Sequence, residues 1–169
     1  MTINKSNKNK LLMSIIIVFS IILISCESDL KPPSLPAFVK GKITFIGGKD
    51  SWPDSSEALA LRVGLFKSDD PESFFDAVLK GDVYFNFFSF PLFVDEYEYT
   101  IEVSDTPIEL KYLVVALQYS DSLEHQKVLS VYTETENYEQ PSSIYLTSGA
   151  TFTNIDFIVD FDNLPKQPF

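Results

Sequence analysis

Cysteine is almost absent from this chain of 169 residues. Cys26 is the only one, so no disulfide can close within the chain and no cysteine cluster can hold a metal. Histidine is as scarce. His125 stands in Ser122-Leu123-Glu124-His125-Gln126-Lys127, a polar turn in which an imidazole among charged neighbours reads as solvated. A serine nucleophile would lack a dependable base, and zinc would lack its usual ligands. Positive charge is short as well, with 13 basic residues against 24 acids and a net charge of −11. Phosphate backbones repel such a chain, which removes nucleic acid from the expected partners. Nor is there an apolar run of the roughly 20 residues that a membrane-spanning helix needs.

What the chain does have begins at its start. Lys5, Lys8 and Lys10 come with no acid, residues 11–24 are almost wholly apolar, and Leu23-Ile24-Ser25-Cys26 follows before the abruptly polar Glu27-Ser28-Asp29. Charge, short apolar stretch and small residue, in that order, read as a cleaved leader. The tetrapeptide resembles the lipobox of bacterial lipoproteins. That resemblance implies cleavage between Ser25 and Cys26, a diacylglyceryl group on the Cys26 sulfur and a further acyl chain, such as palmitate, on the freed amine. Each buried methylene contributes about 0.8 kcal/mol, so several chains hold a protein that one would not. The expected location is the bacterial cell envelope, most simply the outer membrane, on its periplasmic or surface face. Loss of residues 1–25 leaves 144 of the 169 residues. Because the leader's charges are three lysines, the mature net charge is −14 rather than −11.

Residues 26–37 carry Pro32, Pro33 and Pro36 and read as a lipidated, semi-rigid tether. Residues 38–163 read as one domain and 164–169 as a C-terminal tail. Alternation of apolar and polar residues places strands at 38–46, 59–67, 82–90, 96–103, 127–133, 143–147 and 152–161. Residues 110–119 are apolar on both parities, as a central strand covered on two sides should be. One helix interrupts them, with Asp70 as cap, Pro71 in the first turn, an apolar stripe of Phe74, Phe75, Val78 and Leu79, and Gly81 as its end. The expected fold is all-β: an antiparallel β-sandwich of seven or eight strands with one short helix.

The segments Lys42-Ile43-Thr44-Phe45, Trp52-Pro53, Leu61-Arg62-Val63-Gly64-Leu65-Phe66-Lys67, Tyr99-Thr100-Ile101-Glu102-Val103 and Tyr112-Leu113-Val114-Val115-Ala116-Leu117 follow in a telling order. It resembles the transthyretin-like or carboxypeptidase-regulatory-like sandwiches of bacterial envelope proteins. The resemblance covers about residues 39–162 and implies a non-catalytic accessory module without a cofactor. Its partners would be the membrane, through Cys26, and an envelope protein or a glycan.

Two groups of side chains qualify as binding candidates. Acids cluster around Asp69 and Asp70 and around Asp160 and Asp162, weak calcium candidates because neither stretch has the glycine and terminal glutamate of an EF-hand loop. Aromatics fill Val83-Tyr84-Phe85-Asn86-Phe87-Phe88-Ser89-Phe90 on both parities. One parity must pack in the core. The other, Tyr84, Phe88 and Phe90, lies either under the helix or open to a partner or sugar ring. Trp52 poses the same choice between plug and stacking platform.

Overall fold

The computed structural model describes residues 34–135 and 137–168. The leader, Ser25, Cys26 and the tether up to residue 33 lie outside the described residues. Two four-stranded sheets face each other. In the first, β1 (Ala37–Phe45) pairs antiparallel with β4 (Glu96–Val103), from Ala37 opposite Val103 to Thr44 opposite Glu96. Its other side takes β9 (Thr151–Phe152) and β10 (Phe157–Val159), both parallel to β1. The second sheet runs β3 (Val83–Phe85), β2 (Ala60–Phe66), β6 (Tyr112–Gln118), β7 (Gln126–Val131), all antiparallel. A small pair, β5 (Ile108–Leu110) with β8 (Ile144–Leu146), completes the strands. Among the described residues the all-β sandwich with one short helix is therefore present. The strand count exceeds the expected seven or eight because β5 is separate from β6 and the last strand is broken into β9 and β10.

The burial of each strand follows from what faces it. On β4, Tyr99, Ile101 and Val103 are buried while Glu96, Glu98, Thr100 and Glu102 are exposed, so one face meets the core and the other water. Three glutamates along this edge discourage pairing with another chain. Between the sheets lie Val39, Ile43 and Phe45 of β1, Leu61, Val63 and Leu65 of β2, and Leu113, Val115 and Leu117 of β6. β2 and β6 are buried along their whole length because the outer face of their sheet has a second, smaller core. There Phe66, Val83, Tyr112 and Val114 are roofed by Phe74 and Ala77 of the helix α1 (Phe74–Lys80).

Ser73, not Asp70, caps α1: its hydroxyl accepts from the Asp76 N–H at 3.3 Å. Gly81 ends the helix at φ 70°, a left-handed conformation that costs glycine little. The buried stripe is Phe74 and Ala77, with Val78 packed alongside. Leu79 is 69% exposed, because the buried stripe runs through positions 74, 77 and 78 and Leu79 lies about 100° beyond its last member. The first and last described segments fit the domain more closely than a bare tether and tail would. β1 already begins at Ala37, and Leu35 takes hydrogen bonds from Thr106 Oγ1 and Gly149 N. The tail is held by Gln167, whose side-chain amide accepts from Val128 N at 2.7 Å and donates to Val128 O at 3.1 Å. It copies the two bonds a neighbouring strand would make.

The break between β9 and β10 is built around Gly41. The Ile155 carbonyl occupies the space a Cβ at Gly41 would fill, and the Tyr99 ring packs across the same point. Tyr99 donates its hydroxyl to that carbonyl at 2.6 Å, Ile155 N donates to Lys40 O, and Asp156 Oδ1 accepts from Lys42 N at 2.8 Å. Burial pushes the Tyr99 hydroxyl far above its ordinary value, with Asp156 and Tyr132 adding to it, so it is a donor at every working pH. Gly41→Ala is expected to lower stability by roughly 3 kcal/mol through overpacking against backbone. Tyr99→Phe should cost about 1–3 kcal/mol by leaving the carbonyl unpaired. Urea unfolding of both variants checks this; an unchanged midpoint for Gly41→Ala contradicts the close approach.

Candidate functional site

Strand β3 leaves its sheet early, and the departure creates the most unusual surface of the domain. β3 pairs with Gly64, Leu65 and Phe66 of β2 only through Val83–Phe85. The next backbone groups of β2 would then be orphaned, which buried peptide groups do not tolerate. Side chains take them instead. Asn86 Oδ1 accepts from Val63 N at 2.7 Å, and Asn86 Nδ2 donates to Leu61 O at 3.0 Å and to Phe88 O at 2.7 Å. Ser89 Oγ accepts from Leu61 N at 3.0 Å. Phe90 then rejoins the edge, its N–H bonded to Leu61 O.

Between these clamps, Phe87 and Phe88 bulge outward. They are 75% and 82% exposed, and their rings meet edge to face with centroids 5.3 Å apart. A bulge tied at both feet loses little freedom when it binds, which favours affinity. Burying each ring would contribute roughly 1.5–3 kcal/mol.

The other aromatic candidates are occupied. Trp52 is a plug, not a platform. Its ring packs at 4.4 Å from Phe45 and at 5.4 Å from both Phe93 and Phe161, and Nε1 donates to Val94 O at 3.0 Å. Phe90 is half-buried against Tyr97 and Tyr99. Tyr84 is half-buried too, donating to Asp105 Oδ2 at 2.8 Å beneath Lys67 Nζ, which sits 5.4 Å from its ring centre. Burial first, and then Asp105, pushes its hydroxyl up to about 12. Phe88 alone of the four sequence candidates is open. Its partner Phe87 is not among them, because strict alternation along an unbroken strand turns position 87 inward.

The polar candidates are similarly sorted. Asp69 and Asp70 are exposed in the loop before α1, while Asp160 accepts from the Asp162 N–H at 3.0 Å and so closes its own turn. Among the described residues no three His, Cys, Asp or Glu converge as a metal ion would require. His125 Nδ1 lies 2.6 Å from Ser120 Oγ and its ring stacks on Tyr119, on the exposed turn joining β6 to β7. Among the described residues no carboxylate bonds that ring, so the pair lacks the orienting third group of a nucleophilic triad. Comparison with protein-family models, with curated proteins and with solved structures returned no match.

One further polar group is out of balance. Arg62 is 8% exposed on the outer face of the second sheet, opposite Ala116, and its Nε and Nη1 have no partner among the described residues. Gln126 Oε1, on the same face, is unpartnered too. Desolvation lowers the Arg62 pKa from its ordinary value, yet an arginine remains charged. Such a group opposes folding. Arg62→Met, which keeps the stem and removes the charge, should raise stability by about 1 kcal/mol. A lower urea midpoint would show that Arg62 is instead satisfied in solution.

Proposed function

We propose that this chain is a lipid-anchored protein of the bacterial envelope whose sandwich is a non-catalytic interaction module, engaging an apolar pocket of a partner protein through Phe87 and Phe88. The clamped, exposed Phe87–Phe88 bulge carries the reading. Two large rings in water oppose solubility unless something covers them, and the Asn86 and Ser89 bonds fix them outward rather than letting them fold back. Aromatic anchors seated in a partner's pocket supply most of the binding energy of many interfaces. The lipobox supports the anchor, and the resemblance to transthyretin-like modules agrees with an accessory role. With Cys26 acylated and Leu35 already docked on the domain, nine residues of chain would keep the sandwich within roughly 30 Å of the membrane. A partner in the same membrane is then within reach.

The expected result for the double variant Phe87→Ser/Phe88→Ser is an unchanged unfolding midpoint, because both rings are already in water. Its co-purification with a reproducible partner from detergent-solubilised envelopes should fall at least hundredfold, in line with about 3–6 kcal/mol of lost burial. Equal recovery by wild type and variant refutes the role of the bulge. Binding of phosphatidylcholine vesicles by the non-acylated chain, lost in the double variant, would assign the rings to the bilayer instead. Separately, intact mass of the native protein should show acyl chains on an amino-terminal Cys26.

A further inference from the structure

A second surface, independent of the bulge, has the chemistry of a ligand site. Three segments distant in sequence converge on the outer side of the second sheet: the loop before α1, the loop between β7 and β8, and the C-terminal tail. They enclose a groove of about 900 Å³. That is large for a small-molecule site, and such sites are mostly apolar. This one is not. Asp69, Asp70, Asn137, Glu139, Asn163 and Lys166 line it, with the rings of Tyr112 and Tyr138.

Tyr112 is the telling residue. It is 6% exposed, its ring wedged against Phe66 at 6.0 Å between centroids, so nearly all of the side chain is core. The small part of it that stays open lines the groove. A tyrosine whose body is core and whose polar end is open presents that end to whatever fills the groove. Burial, and then the Asp70 charge, pushes the hydroxyl up to about 12, which keeps it a donor and an acceptor at neutral pH.

We infer that this groove binds a neutral glycan, with the Tyr112 hydroxyl and the Asp69 and Asp70 carboxylates bonding to sugar hydroxyls and Tyr138 offering a ring face. Each alternative ligand class conflicts with the lining. Anions, acidic sugars included, would meet three carboxylates against the single cation Lys166. A metal ion has no convergent ligand set among the described residues. An apolar molecule would strand the polar groups without partners. A polyol supplies donors to the carboxylates and a partner to the tyrosine in one ligand. The walls are firm enough for this: Gln167 pins the tail to Val128, and Asn137 Oδ1 accepts from Glu139 N at 3.0 Å within its own turn.

The test uses the full-length protein in detergent on an array of neutral and acidic oligosaccharides, followed by calorimetric titration of the strongest neutral hit. Binding is expected to weaken at least tenfold in Tyr112→Phe, which deletes only the hydroxyl, and in Asp69→Asn/Asp70→Asn, whose exposed positions spare the fold. It should persist in Phe87→Ser/Phe88→Ser, which separates this site from the bulge. Silence of the array to millimolar concentration, or binding indifferent to both groove variants, overturns the inference. So does a preference for lysine-rich peptides that the Asp69→Asn/Asp70→Asn variant abolishes, which would make the groove a cation site.

Discussion

The architecture depends on one close approach, the Ile155 carbonyl seated over Gly41. β1 holds β4 on one side and both β9 and β10 on the other. Residues 153–156 must leave the ladder between those two strands and return to it. They can do so because position 41 has no side chain, and because Tyr99 covers the vacancy and donates to the carbonyl that enters it. Asp156 then supplies the oxygen that Lys42 N would otherwise lack. An aromatic laid across a strand glycine is a known way to restore packing there. Here it also satisfies a buried acceptor, so packing and hydrogen bonding are met by one side chain.

What lies downstream inherits that constraint. β10 carries the chain to Phe161, which closes the aromatic box around Trp52, and then to the tail that Gln167 fastens along β7. The tail is one wall of the groove in which Tyr112 waits. A strand crossing in the core of the first sheet thus sets a surface on the far side of the second. The Phe87–Phe88 bulge has a separate origin, in the local hydrogen-bond needs of β2. The two surfaces can therefore change independently.

Much of the sandwich was legible in the sequence because its strands obey simple exposure rules. β4 was readable residue for residue, as its glutamates face water and its aromatic and branched residues face the core. β6 was readable as a central strand, since no polar side chain interrupts residues 113–117. The helix was readable by its end at Gly81, but its start was not: Asp70 and Ser73 are both capable caps, and the packing of Phe74 on Phe66 and Phe85 decides between them. The parallel edge was illegible. Nothing in the alternation of residues 152–161 shows that the middle four leave the ladder, and the glycine that permits it lies more than a hundred positions earlier.

The candidate surfaces were harder to read, for a physical reason that Asn86 makes plain. An aromatic run flanked by strand-formers reads as strand, and the side chains of a strand alternate. Alternation fails when a side chain replaces the backbone in the ladder, and an amide can do so for two separated groups of both kinds at once. Val63 offers an N–H and Leu61 a carbonyl. An aspartate at position 86 would accept from the first and repel the second; a serine would reach one or the other. Asparagine carries a donor and an acceptor at the right reach, and Ser89 closes the remaining N–H. Asn-Phe-Phe-Ser at the end of an edge strand is thus a readable instruction once the backbone accounting is done. Its amide and hydroxyl take over the ladder, and the two rings between them, left with no place in either core, are directed into solvent.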